Sequence, residues 1–238
     1  MLSYSYEDLA QSFRILLESY LKSHKLLSVD TGEAIGTIET AINANLNSFH
    51  NLYDLMSKNS INPPSWYDVP ELCTILAIRN ARHHNQANRI RSIYNYHRYT
   101  EVNPTSVRRY FYVDFPVSQE EGGDCFDVPL SWFDLDLFLS MPKKESRLRP
   151  ESALSVREYL NAGVFEAKAE ARRIKKERIF FNFVPLVLNA GIALQRYIKE
   201  YVRPDSVEAT CFLDHFETMC PAQTKTHELR IYTFSLPN

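Results

Sequence analysis

Arg79-Asn80-Ala81-Arg82-His83-His84 is the part of this chain best equipped for chemistry. It lies in a stretch, residues 76–100, with five arginines, three histidines, four asparagines and no acid. An imidazole near neutral pKa takes and gives protons. A guanidinium holds two phosphate oxygens at once and stabilises a charged transition state. An amide orients either group. Tyr94, Tyr96 and Tyr99 follow and offer rings for base stacking. Together these side chains point to RNA. The 2′-hydroxyl of RNA can attack its own phosphate, so an acid/base group with a cation suffices, and no metal or cofactor is required.

Helical spacing adds a second reason. At 100° per residue, Leu72, Leu76, His83, Ala87, Ile90, Tyr94 and His97 form one stripe, assigned to the core. Asn80, His84, Asn88, Arg91 and Asn95 form a neighbouring polar stripe without Lys or Glu. A solvated helix face normally uses Lys and Glu. Asn competes for the backbone and weakens a helix. Three Asn on one stripe therefore lower helix propensity with no evident structural return. Arg79 and His84 stand about 140° apart on an ideal helix. A distorted turn or a second chain is needed to aim both at one phosphate. Arg82, Asn88, Arg91, Tyr94 and Arg98 are the expected RNA contacts. The bland alternative for these arginines is a solvated face, and for His83 a core position.

The surrounding elements must position this segment. Residues 7–24 read as an amphipathic helix with Leu9, Phe13, Leu16, Leu17, Tyr20 and Leu21 on one stripe. Asp30 and Glu33 resemble a capping box for a second helix. Its stripe is Ile35, Ile38, Ile42, Phe49, Leu52 and Met56, and Pro63 and Pro64 end it. Asp68 and Glu71 open a third helix, with Pro70 in its first turn. This helix is expected to run unbroken through the basic stretch. "SVRRYFYVDFPV" alternates as a strand, "SQEEGGDCFDVP" reads as a loop, and "LSWFDLDLFLSM" fits a strand or a short helix. A long charged helix is expected over 151–178, then an apolar helix through "FNFVPLVLNAGIALQRYIKEYV" that Pro204 ends. The tail offers two β-like pieces, "VEATCFL" and "ELRIYTF". The sum is a mainly α chain: one helical bundle domain of four to five long helices over 1–238, with an inserted β/loop segment at 101–150 and a β-rich tail at 205–238.

The Arg79-Asn80-x3-His84 pattern, on the third helix of such a bundle and followed by the apolar "FVPLVLNAGIALQRYI", resembles the HEPN superfamily. Its members are compact helical bundles, many of them metal-independent endoribonucleases of toxin–antitoxin, abortive-infection and RNA-processing systems. The resemblance covers the helical parts and not 101–150 or the tail. It implies that Arg79 binds the scissile phosphate, that Asn80 orients the phosphate or His84, and that His84 is the general acid or base. It further implies a homodimer whose two motifs face one cleft, a role as toxin or antiviral defence effector, and an antitoxin or regulatory protein as partner. Many members carry Tyr two residues after the His, where this chain has Gln86. The rival reading is a non-catalytic helical module that binds RNA or protein through the same face.

Bulk composition narrows the field further. The net charge is −2, with the five cations of residues 72–100 set against −7 elsewhere, so any anion site is local. Only 6 glycines are present and no Gly-rich phosphate loop. Cys73, Cys125, Cys211 and Cys220 form no CxxC. Cys211, His215, Cys220 and His227 lack the spacing of common zinc fingers. The start lacks the basic and apolar regions of a signal peptide. The most apolar run is interrupted by Asn182, Pro185 and Asn189 and is too short to span a membrane comfortably. A cytoplasmic location with free thiols and no membrane partner is the expectation.

Overall fold

The computed structural model describes residues 1–59, 65–84, 90–117 and 126–237, with the backbone alone at positions 83 and 84. It is mainly helical, 65% helix, with one four-stranded sheet. Helix α1 (Leu2–Leu26) and helix α2 (Thr31–Lys58) form an antiparallel pair. Asn45 Nδ2 donates to Ser12 Oγ at 3.1 Å, and Ser48 Oγ donates to the Asp8 carbonyl at 3.4 Å. Asp30 caps α2 by accepting from Glu33 N at 2.9 Å. The stripe expected on α2, Ile35 to Met56, is buried throughout. On α1 the buried stripe is Leu9, Phe13 and Leu16, whereas Leu21 is exposed.

Helix α3 is described over Pro70–His84, residues 90–92 are not helical, and helix α4 (Ile93–Thr100) begins anew. The expected unbroken helix is therefore two. The reason is tertiary. Ser92 N and Oγ both donate to Glu39 Oε1, at 3.3 and 2.6 Å. Arg91 N donates to Asp134 Oδ2 at 3.1 Å, and the Arg91 carbonyl accepts from Ser131 N at 2.9 Å. Backbone groups with such partners do not join a helical ladder. Ser92 Oγ then caps α4, accepting from Asn95 N at 3.3 Å. The apolar stripe outlives the break, because Leu72, Leu76, Ile90, Tyr94 and His97 are all buried. Ala87 lies outside the described residues.

Strands β1 (Arg108–Asp114), β2 (Pro129–Ser131), β3 (Ile179–Asn182) and β4 (Glu228–Phe234) stand in the order β2-β3-β1-β4. β1 runs parallel to β3 and antiparallel to β4, and β2 is antiparallel to β3. Strands of the 101–150 segment thus pair with strands from both later parts of the chain. The segment expected as strand or short helix is both, β2 followed by helix α5 (Trp132–Leu139). A single turn, α6 (Lys143–Ser146), follows.

The long charged helix is instead α7 (Pro150–Tyr159) and α8 (Ala162–Ala171). Asn161 between them is left-handed, φ 50°, a conformation Asn tolerates better than most residues. Helix α9 (Phe183–Ile198) starts after β3, and Asn182 joins the two. Its Oδ1 accepts from Val184 N and Val128 N, each at 3.2 Å, and its Nδ2 donates to Asp114 at 3.0 Å. "VEATCFL" is not a strand but the start of helix α10 (Val207–Thr218). Ser206 caps it, accepting from Ala209 N at 3.0 Å, and Ala209, Leu213 and Phe216 face inward at helical spacing. Packing overrides the β preference of Val, Thr and Cys there. Among the described residues no helix is long and apolar enough to cross a membrane. The acidic loop at 118–125, with Cys125, and the proline stop at 60–64 lie outside the described residues.

Two stability predictions follow from the packing. A Cβ at Gly191 of α9 would sit 2.6 Å from the buried Phe216 ring. Gly191→Ala should cost about 1–3 kcal/mol in urea unfolding, and an unchanged midpoint would contradict this packing. Burial lowers the pKa of both His97 and His227 below 6.5. Each therefore takes up its proton at a lower pH in the fold than in the unfolded chain, so below pH 6.5 the unfolded chain binds more protons than the native one. The unfolding free energy should fall as pH drops from 7 to about 5, and a flat or opposite profile in denaturant titrations would refute this.

Candidate functional site

The candidate site lies between α2 and the C-terminal half of α3. On α2, Glu39, Asn43, Asn47, His50 and Asp54 recur every three or four residues and form one polar stripe. Opposite stand Arg79, Asn80 and Arg82 of α3. Long helical side chains lean toward the helix N-terminus, so Arg79 lies over the turn that precedes it and near the short 3-10 segment Trp66–Asp68.

Arg79 is half-buried. Its Nη1 donates to Asn80 Oδ1 at 3.2 Å, and its Nε is buried without a hydrogen-bond partner. Among the described residues no carboxylate forms an ion pair with it. Burial lowers its pKa, and the Asp54 charge acts in the opposite sense from further away. Asn80 also hydrogen-bonds the Tyr67 hydroxyl, whose pKa is raised by burial. On α2, His50 Nδ1 and Asp54 Oδ2 are 3.6 Å apart. Residue 84 lies one turn beyond Asn80 on α3. The side chains of His83 and His84, and all of Asn88, lie outside the described residues.

The other arginines are placed differently from expectation. Arg82 is 7% exposed. It donates to Glu39 Oε2 at 2.6 Å, to Asn43 Oδ1 at 2.8 Å and to the Ile90 carbonyl at 2.7 Å. Arg91 grips Asp134, itself fully buried, through Nε and Nη2 at 2.8 and 2.7 Å, and its guanidinium lies 4.7 Å from the Tyr96 ring centre. Both therefore fasten elements together and are not loose phosphate binders. Tyr94 is 1% exposed, edge-on to Phe234 at 5.2 Å, so neither face of its ring is open to a base. Arg98 is exposed, 5.8 Å from the Tyr99 ring centre, and is the described member of the RNA-contact set that is open to solvent.

Between these groups lies a cavity of about 350 Å³. Glu39, Asn43 and Asn47 of α2, Arg82 of α3, and Ile90, Arg91 and Asn95 at the entry to α4 line it. The α2 contribution was missed in the sequence reading. Its signal was present as a polar repeat interleaved with the apolar stripe of the same helix. No group of three or more His, Cys, Asp or Glu among the described residues could hold a metal ion. His227 of the discounted zinc set bonds the Leu160 carbonyl at 2.9 Å. Comparison of the chain with protein-family models, curated proteins and solved structures returned no match.

The different situations of Arg79 and Arg82 predict different energetics. Arg82→Ala leaves Glu39 unpaired in a nearly closed site and should cost about 3–5 kcal/mol in urea unfolding. Arg79→Ala removes a desolvated cation that has no ion-pair partner and should stay within about 0.5 kcal/mol of the parent. Equal losses at the two positions would refute the distinction.

Proposed function

We propose that this chain is a HEPN-type, metal-independent endoribonuclease, built as a helical bundle. It acts in the cytoplasm as a homodimer and serves as a toxin or antiviral defence effector that an antitoxin or regulatory protein restrains. The observation that supports this most is the state of Arg79. Arg79, Arg82 and Arg91 are the half-buried or buried arginines of the basic stretch with described side chains. Two of them are neutralised by carboxylates, Glu39 and Asp134. Arg79 has only the neutral Asn80, an unpartnered Nε and a burial that opposes its charge. A half-buried cation without compensation is stabilised by an arriving anion. It is also the Arg of the Arg79-Asn80-x3-His84 pattern.

In this reading the scissile phosphate sits against Arg79, whose guanidinium stabilises the charge that develops on the non-bridging oxygens. Asn80 holds that guanidinium or the phosphate in place. His84, one turn further along α3, removes the proton from the 2′-hydroxyl or delivers one to the departing 5′-oxygen, and the second protomer supplies the complementary group. The products carry a 2′,3′-cyclic phosphate and a 5′-hydroxyl. Arg98 then contacts RNA backbone away from the reacting centre. The commitment of Arg82, Arg91 and Tyr94 to the fold favours the rival, a non-catalytic binding module, only if RNA is held without being cut.

The test is incubation of the protein with total RNA in excess EDTA, beside Arg79→Ala, Asn80→Ala and His84→Ala. Chelation-insensitive cleavage by the parent is expected, with losses of about 10²-fold or more in the Arg79 and His84 variants. Retention of RNA without cleavage would replace the enzyme by the module. No retention even at low salt would exclude both.

A further inference from the structure

We propose that the cavity between α2, α3 and the entry to α4 is a base-recognition subsite for a keto nucleobase, uracil or guanine, beside the scissile phosphate. This rests on the ribonuclease reading for its setting, but the argument for the pocket is its own.

Charge decides first. Two guanidiniums face the cavity, and each is already neutralised: Arg82 by Glu39 at 2.6 Å and Arg91 by Asp134 at 2.7 Å. An anion entering here meets no net positive charge, so the cavity suits a neutral ligand, not a phosphate.

Hydrogen-bond capacity decides next. A guanidinium carries five N–H donors. Arg82 directs three bonds, to Asn43, Ile90 and Glu39, so N–H donors remain. Asn43 uses its Oδ1 on Arg82, which leaves its amide N–H₂ as the open group. Glu39, the carboxylate in the wall, is already taken by Arg82 and by both donors of Ser92. Among the described residues the Asn95 side chain, also in the wall, makes no hydrogen bond and so offers its N–H₂ donors and its Oδ1 acceptor; the bond at this residue comes from its backbone N–H. The open groups are therefore mostly donors.

A donor-rich, neutral cavity selects a ligand rich in acceptors. On the major-groove edge guanine presents the acceptors O6 and N7, and uracil presents O4, whereas adenine and cytosine carry an amino donor on that edge. Ile90 supplies an apolar wall for the face of a ring. The volume of about 350 Å³ is near the small end of ligand pockets and admits one base. Arg82 of the cavity wall stands three residues from Arg79 on α3, so a base seated here occupies the same part of the helix as the motif.

The experiment is a calorimetric titration of the intact protein with uridine, guanosine, cytidine and adenosine, run beside mapping of cleavage sites in RNA. Asn95→Asp is the diagnostic variant, because it replaces a donor by an acceptor without changing size. Uridine or guanosine should bind about tenfold more tightly than cytidine or adenosine, and Asn95→Asp should abolish that preference. Cleavage beside U or G should lose its bias in the variant while its dependence on Arg79 persists. Equal affinity for all four nucleosides, no binding of any, or a preference untouched by Asn95→Asp would overturn the subsite. Unbiased cleavage would overturn it while leaving the nuclease in place. Keto-selective nucleoside binding by a protein that cuts no RNA would keep the subsite and remove the nuclease.

Discussion

The Glu39 carboxylate is the knot on which the site depends. One oxygen takes the Arg82 guanidinium of α3, and the other takes the backbone N–H and hydroxyl of Ser92 at the start of α4. Three helices are thereby held by one side chain. A nearly closed carboxylate must find such partners, since leaving either oxygen bare has a high desolvation penalty. The same bonds withdraw residue 92 from any helix, and Glu39 and Arg82 both line the cavity beside it.

A second carboxylate works in parallel. Asp134 of α5 grips the Arg91 side chain and its backbone N–H, and Ser131 reaches the Arg91 carbonyl. This couples the helical part to the sheet, since Ser131 ends β2. The 101–150 segment therefore carries the partners that shape the basic stretch. Arg79 stands outside both knots, which is why the same residue type has different energetics only three residues apart on one helix. The structural arginines are matched by acids, Glu39 and the buried Asp134. The functional candidate is distinguished by lacking one.

Much of the framework was legible in the residues. The α1–α2 pair, the Asp30 cap, the α3 start and strands β1 and β4 follow from local pattern. The apolar stripe through Leu72, Leu76, Ile90, Tyr94 and His97 was also legible, because burial depends on which face each residue occupies and survived the break in the helix. Less legible were the turns. Asn161 splits the charged segment by adopting a left-handed conformation, and Ser206 starts a helix where Val, Thr and Cys favoured a strand. Arg79 and Asn80 stood out by residue type, but their mutual hydrogen bond was not legible, and neither was the wall supplied by α2, because its polar repeat reads as an ordinary solvated face until α3 is packed against it.

The sequence by itself determined helix content, the apolar faces and the local concentration of guanidinium, imidazole and amide groups, since these depend on residue type and on spacing along one element. Tertiary structure alone decided which cations are neutralised. Arg82 meets Glu39 across 43 positions of chain, and Arg91 meets Asp134 across another 43. No local pattern encodes such pairings. They arise only when the packed helices exclude water and each buried charge must be matched by the acid that the fold brings beside it.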